Sequence, residues 1–222
     1  MLIPIVYQDD DLIVIDKPAG IASHASESWK GQDVYHLLIE QGVEINTSGD
    51  DFRQGIVSRL DVGTSGLMVV AKNEQSYQKL KEMFKQHLVK KTYLALVTGK
   101  VKIAKGTINA PIGRHPSRKK RALFAVVDGG KPAITHFDVC KNLTDKTLLK
   151  INLQTGRTHQ IRVHLSAYGH PLVGDVNYGG PEFDGLNHPW LHSWQLDFSH
   201  PLTEKQLHFE SKIPEELLAV LI

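Results

Sequence analysis

The 222-residue chain has a single cysteine, Cys140, so it can form no internal disulfide and no cysteine-based zinc centre. It also lacks long apolar runs. Stretches such as Leu67-Met68-Val69-Val70-Ala71 fall far short of the ~20 residues a helix needs to cross a bilayer. The N-terminal Met-Leu-Ile-Pro-Ile-Val-Tyr-Gln-Asp-Asp has no basic leader or cleavage site and is not expected to act as a secretory signal. No Walker loop and no Gly-x-Gly-x-x-Gly after a strand is present, so nucleotide cofactors have no footprint. There are 12 histidines but no His-Glu-x-x-His; His159 and His164 are five apart, off a common helical face, and His170, His188 and His200 each precede a proline as turn residues do. Neither a metal nor a cofactor is expected, and the location expected is cytoplasmic. Repeats and low-complexity tracts are missing too. With 41% hydrophobic and 23% charged residues, the chain is not mainly disordered, collagen-like or a coiled coil.

A more telling lack is local. Residues 83–127 contain no Asp or Glu but hold 11 Lys and Arg: Lys85, Lys90, Lys91, Lys100, Lys102, Lys105, Arg114, Arg118, Lys119, Lys120 and Arg121. A second acid-free window, 146–174, adds Lys146, Lys150, Arg157 and Arg162. Outside both windows, 11 basic residues face all 24 acids, although the net charge of the whole is only +2. Charge divided in this way builds a positive face, and the partner that fits it is a polyanion. A merely solvated basic surface is the plainer alternative.

Several elements are legible. Residues 3–6 and 12–16 are β-branched runs flanking an acidic turn and predict a hairpin. Lys17-Pro18-Ala19-Gly20 is a turn, 34–41 a short helix and 46–54 a polar loop. Residues 66–71 predict a dense strand. Residues 74–88 predict a helix from the spacing of Tyr77, Leu80, Phe84 and Leu88, with Glu74 early and Lys85 late to suit its dipole. Strands follow at 92–97, 135–139 and 148–153, and a basic loop or hairpin insertion at about 100–121. Residues 161–165 alternate like a strand, but Ile161, Leu165 and Tyr168 also form a helical stripe stopped by Gly169-His170-Pro171, so a helix over 158–168 is preferred. Strands outnumber helices and short turns join them. That predicts an α+β fold with a mixed, mostly antiparallel central sheet, in a single domain over 1–222.

Two segments carry chemistry. Ser58-Arg59-Leu60-Asp61-Val62-Gly63-Thr64-Ser65-Gly66 places a carboxylate between an arginine and a Gly-rich turn at the mouth of a buried strand. A local turn made by Asp61 with its own backbone would use the same residues. Leu153-Gln154-Thr155-Gly156-Arg157-Thr158-His159-Gln160-Ile161-Arg162 gathers donors at a predicted helix start, suited to anions or simply to capping.

These residues, read together, resemble the RluA-type RNA pseudouridine synthases. Arg59-Leu60-Asp61 with Thr64-Ser65-Gly66-Leu67 and Ala71-Lys72 matches one signature of that family. Thr155-Gly156-Arg157-Thr158-His159-Gln160-Ile161-Arg162-Val163-His164, then Gly169-His170-Pro171 and Gly174-Asp175, matches another. Lys91-Thr92-Tyr93-Leu94-Ala95-Leu96-Val97 is similar to the family's tyrosine strand, residues 10–20 to its opening hairpin and Lys-Pro turn, and Leu191-His192 with His200-Pro201 to its tail. The likeness runs in order along nearly the whole chain. It departs at Ser58, where the family usually has His, and in starting at the catalytic hairpin without the small N-terminal RNA-binding module many members carry. Those departures bear on RNA contacts and substrate choice.

The resemblance implies flanking helices and loops around a basic cleft, and an isomerisation of uridine without cofactor. Asp61 becomes the essential aspartate, either a nucleophile at C1′ or a base at the 2′ position. Arg162 becomes the cation beside it, since such a neighbour lowers a carboxylate pKa by ~1–3. Tyr93 becomes the tyrosine that stacks on the target base. Arg59 fills the space left by the flipped nucleotide. Lys91, Arg114, Arg118, Lys119, Lys120, Arg121, Arg157, His159 and Gln160 are the expected RNA contacts. The implied partner is RNA, ribosomal rather than transfer RNA, and the chain is expected to be a monomer. Two rival readings remain. A non-catalytic RNA-binding protein would use the same basic face but has no use for a carboxylate there. A carboxylate-pair hydrolase would need a second acid near Asp61; Asp175 is the one acid of the second region and is expected instead to order the turn over 174–178.

Overall fold

The computed structural model describes all residues except 26–28, 30, 48–53, 118–122 and 222. Most of the predicted 46–54 loop and the Arg118, Lys119, Lys120 and Arg121 cluster therefore lie outside the described residues. The elements in chain order are β1 (Ile5–Gln8), β2 (Leu12–Lys17), α1 (Val34–Glu40), β3 (Ser65–Ala71), α2 (Glu74–Lys85), β4 (Lys90–Thr98), β5 (Lys105–Asn109), β6 (Ile112–Arg114), β7 (Phe124–Val126), β8 (Ile134–Asn142), β9 (Lys146–Leu153), α3 (Gln160–Ala167), β10 (Leu191–Ser199), β11 (Gln206–Glu210) and α4 (Glu215–Leu218). No described helix is long and apolar enough to cross a membrane.

The chain divides into two compact units, one of Met1–Lys91 with Ser193–Lys212 and the other of Thr92–His192 with Ile213–Ile222. In the first, β1, β2 and β3 pair antiparallel, and β10 pairs antiparallel with β11. β2 and β3 carry unbroken apolar runs, 12–15 and 67–71, because both of their faces are covered. Ile13, Ile15, Met68 and Val70 pack with Val34, Leu37 and Leu38 of α1. The alternate residues Leu12, Val14, Leu67, Val69 and Ala71 pack with Tyr77 and Leu80 of α2. Period-2 alternation thus sorts one dense run into two cores. Asn73 caps α2 by accepting the N–H of Ser76 at 2.9 Å.

In the second unit the antiparallel order is β4-β9-β8-β5, with a separate β6–β7 hairpin. The basic stretch expected as an insertion at about 100–121 is divided in use. β5 joins the sheet beside β8, and the excursion is the hairpin that begins at Ile112. The helical reading of 158–168 holds, as α3. Buried Ile161, Val163 and Leu165 alternate with buried Gln160, Arg162 and His164, which explains why an alternating pattern is still a helix: α3 is buried nearly all round.

Candidate active site

Asp61 sits in a loop braced on both sides by main-chain bonds within the first unit. Ser23 Oγ donates to the Leu60 carbonyl and accepts the Leu60 N–H, each at 2.8 Å. The Val62 carbonyl accepts the N–H of Gly20 at 2.8 Å, and the Asp61 carbonyl accepts that of Thr64 at 2.9 Å. Leu60 packs inward on the apolar cluster that contains Ile21, while Arg59 is exposed. The peptide on either side of Asp61 is therefore fixed, and its half-buried side chain leaves from a rigid base.

The brace comes from the turn after β2. Lys17, the last residue of that strand, is 0% exposed. Its Nζ donates to the carbonyls of Pro18 and Ile21, both at 2.9 Å, and of Val62 at 3.4 Å. Burial pushes the Lys17 ammonium down to about 7, and the Asp61 carboxylate acts in the opposite direction. β3 leaves the loop with Gly66 opposite Lys17. Gly66 has φ +109°, and a Cβ there would lie 2.3 Å from the Ser193 carbonyl oxygen. The signature glycine is thus a packing requirement at the foot of the Asp61 loop.

In the second unit, Tyr93 lies on β4, buried and opposite Ile151 of β9. Arg162 is buried on α3 and makes a bidentate pair with Asp175: Nε donates to Oδ2 and Nη2 to Oδ1, each at 2.8 Å. Its guanidinium also stands 4.7 Å from the Tyr178 ring centroid. Asp175, expected only to order a turn, does that through its backbone, which accepts the N–H groups of Tyr178 and Gly180. Its carboxylate serves Arg162.

The donor-rich segment before α3 is organised from inside. Gln160, expected as an RNA contact, is buried, and its amide is fully used within the protein. Its Oε1 accepts from Thr155 Oγ1 at 2.8 Å and from the Arg157 N–H at 2.9 Å. Its Nε2 donates to the Ile134 carbonyl and to Thr135 Oγ1, both at 3.0 Å. This corrects the expectation: Gln160 shapes the loop that presents Arg157 and His159, because four satisfied bonds leave it nothing to offer a ligand.

His159 adopts a left-handed backbone (φ 55°) at the start of α3. Its Nδ1 lies 2.7 Å from Tyr178 Oη, which also accepts the Phe124 N–H of β7 at 3.1 Å. Arg114 is exposed at the end of β6, with its guanidinium 4.6 Å from the Phe124 ring centroid. Arg157 is exposed, and its Nε donates to the Pro132 carbonyl at 2.9 Å. Lys91 is half-buried, with Nζ 5.3 Å from the Phe84 ring centroid, and burial lowers its pKa.

Among the described residues, Asp9, Asp11 and His200 are grouped closely enough to suggest a cation. Their bonding is self-contained. His200 Nδ1 accepts the N–H groups of Leu202 and Thr203, so Nε2 carries the proton and faces Asp9 Oδ2 at 3.1 Å. Asp9 Oδ1 takes the N–H groups of Asp11 and Leu12, which closes the β1–β2 turn.

Sequence reasoning missed Lys17, Tyr178 and the Arg162–Asp175 pair. The available signal for Lys17 was a lysine directly ending an apolar strand and preceding proline. For Asp175 it was a lone acid next to an otherwise acid-free basic window.

The family profile described as RNA pseudouridylate synthase matches residues 11–167. An uncharacterized RNA pseudouridine synthase of Mycobacterium bovis is 46% identical over 217 residues, spanning 96% of this chain and 70% of that protein. Ribosomal large subunit pseudouridine synthase D of Nitrosomonas europaea is 43% identical over 226 residues, covering 98% of this chain and 64% of that one. Among solved structures, human RNA pseudouridylate synthase domain containing 1 superposes with a TM-score of 0.77 at 26% identity, over 96% of this chain and 84% of its own.

Proposed function

The chain belongs to the RluA-type family of RNA pseudouridine synthases, isomerases that modify RNA, and we propose that it converts a uridine of large-subunit ribosomal RNA to pseudouridine with Asp61 as the essential carboxylate. The observation that carries the assignment of Asp61 is its setting: a carboxylate on a doubly braced loop, whose next residue, Val62, turns its carbonyl to a buried ammonium. The ribosomal substrate is supported by relatives named as large-subunit enzymes.

The reaction cuts the N1–C1′ bond, turns the uracil, joins C5 to C1′ and releases the C5 proton, while N1 takes up a proton in its place. The atoms of the nucleotide are conserved and no electrons enter or leave. Asp61 acts ionised, as a nucleophile at C1′ or as the base that removes the 2′ proton. Tyr93 holds the detached base flat and handles the proton at C5. Arg162 supplies positive charge to the reacting carboxylate, as the family pattern implies. The target base leaves its stack at a cost of a few kcal/mol, lowest in loops, and Arg59 occupies the space it leaves. Lys91, Arg114, Arg157 and His159 hold RNA, together with Arg118, Lys119, Lys120 and Arg121. Residues 1–222 act as one catalytic domain, and the protein works as a monomer in the cytoplasm.

The test is tritium release from transcripts labelled at uracil C5, with ribosomal and transfer RNA in parallel, for wild type and Asp61→Asn. Release from ribosomal RNA, lost in the variant while RNA binding persists, is the expected result. Release from transfer RNA alone reassigns the substrate. Undiminished release from Asp61→Asn overturns the role of Asp61.

A further inference from the structure

One side chain meets both the arginine assigned to the reacting carboxylate and the hairpin assigned to RNA. Tyr178 closes a single 3-10 turn, Val176–Tyr178, and is half-buried between exposed Asn177 and Gly179. Its main chain is anchored first. The Tyr178 N–H donates to the Asp175 carbonyl at 3.0 Å, and its carbonyl accepts from Ser166 Oγ of α3 at 2.6 Å. The ring therefore leaves from a base fixed to α3 and to the turn that supplies Asp175.

The face of the ring serves Arg162, whose guanidinium carbon lies 4.7 Å from the ring centroid. Asp175 grips the same guanidinium by its edge, through Nε and Nη2. An edge grip alone leaves the group free to tilt about the line of those bonds. A ring against its face removes that freedom.

The far end of the ring serves different elements. Tyr178 Oη accepts the Phe124 N–H of β7 at 3.1 Å and lies 2.7 Å from His159 Nδ1. The Phe124 ring meets the His159 ring edge-on at 5.7 Å and carries the Arg114 guanidinium at 4.6 Å. His159 holds a left-handed backbone, φ 55°, which persists in a residue other than glycine only where its surroundings fix it. Packing alone does not account for the hydroxyl. Tyr178 borders an apolar corner of Ile112, Ala133 and Val163, which a phenyl ring would fill equally well, and a hydroxyl placed there is costly unless it is hydrogen-bonded.

We propose that Tyr178 is the positioning residue of Arg162 and ties the place of that arginine to the RNA-binding hairpin. The phenol is one rigid plate, so Oη cannot shift with Phe124 without carrying the ring that supports the guanidinium. RNA that steadies the β6–β7 hairpin thereby steadies Arg162. Ring and hydroxyl have separable duties: the ring orients Arg162, and the hydroxyl transmits the position of the hairpin. The proposal rests on the reading of Arg162 and of the hairpin given above, and Tyr178 touches no reacting atom in this role.

The first experiment needs no RNA. Hydrogen exchange at the Arg162 Nε–H is followed by NMR in wild type and Tyr178→Phe, with the backbone amides of β9 as the reference for global opening. The substitution keeps the ring and leaves the Asp175 pair in place; it removes only the link to Phe124 and His159. Exchange at Arg162 is expected to quicken ~5-fold or more relative to β9. An unchanged ratio means that the hairpin does not reach Arg162 through Tyr178 and overturns the proposal. This outcome does not depend on whether the family reaction is observed. Conversely, failure of the tritium assay in wild type would undo the functional reading and leave the measured link standing.

The second experiment separates the two duties. RNA affinity and the single-turnover rate at saturating RNA are measured for Tyr178→Phe and Tyr178→Leu. Both variants lose the hydroxyl and are expected to bind RNA several-fold more weakly. Tyr178→Leu also loses the ring, and its saturated rate is expected to fall ~10-fold or more below that of Tyr178→Phe. Equal rates in the two variants would show that the ring does not position Arg162 and would overturn the proposal. If Tyr178→Leu does not fold, the exchange comparison of wild type with Tyr178→Phe still decides.

Discussion

Arg162 and Asp175 meet through two parallel hydrogen bonds of 2.8 Å, with both side chains nearly out of solvent. The carboxylate thereby fixes the plane of the guanidinium, and Tyr178 lies against it. A buried pair of this kind is a poor source of net stability, but breaking it is costly because one charge loses its partner. Asp175→Asn is expected to lower stability by ~3 kcal/mol, read as a shift of the urea midpoint. Arg162→Met should lower turnover more than RNA affinity. If affinity falls in step with turnover, Arg162 is a phosphate ligand.

Much of this arrangement was legible in the chain before folding. The dense runs around Leu12 and Leu67 announced buried strands, and the stripe of Ile161 and Leu165 announced α3. What escaped depends on partners distant in sequence. Lys17 reads as an ordinary strand-end lysine until Val62, 45 residues away, supplies a carbonyl. Gln160 reads as a surface amide until Ile134 and Thr135 close over it. β10 escaped as well, since His192 and Ser193 are polar yet fully buried and spoil its alternation.

Gly66 makes a sharp stability prediction. A methyl group there would meet Ser193 backbone at 2.3 Å from its oxygen and 2.6 Å from its nitrogen. Neither strand can yield without breaking its ladder, and φ +109° is itself unfavourable for alanine. Gly66→Ala should cost ~3 kcal/mol or more from overpacking and backbone strain together, measured by chemical denaturation. Gly20→Ala, where no atom lies within 4 Å of the added carbon, should cost less.

Acid should weaken the protein through two buried histidines. His192 is pushed down to about 4 by burial. His164 is also lowered by burial, with Nε2 donating to the Ala110 carbonyl at 2.9 Å and Nδ1 2.8 Å from Thr135 Oγ1. Both pKa values are depressed on folding, so the unfolded chain takes up protons first as pH falls. The stability they confer is full above about 6.5 and is lost progressively as pH drops through about 4. Urea midpoints measured across that window should fall in wild type and fall less steeply in His192→Gln. Equal slopes would remove His192 from the acid response.

The β6–β7 hairpin should govern the salt dependence of RNA binding. Tyr178 Oη fastens β7 through the Phe124 N–H, and Phe124 in turn carries the Arg114 guanidinium. If the protein makes about four phosphate contacts, the slope of log K against log salt should be near −3 for single-stranded RNA. Arg114→Ala should make that slope shallower by ~0.7, one contact's worth. Tyr178→Phe removes the acceptor without removing charge. It should speed amide exchange at Phe124 and weaken RNA binding with a smaller change of slope than Arg114→Ala produces. A wild-type slope near zero would take the basic hairpin out of RNA recognition. Unchanged exchange at Phe124 in Tyr178→Phe would show that the sheet-side packing of Ile112, Ala133 and Val163 alone holds the hairpin in place.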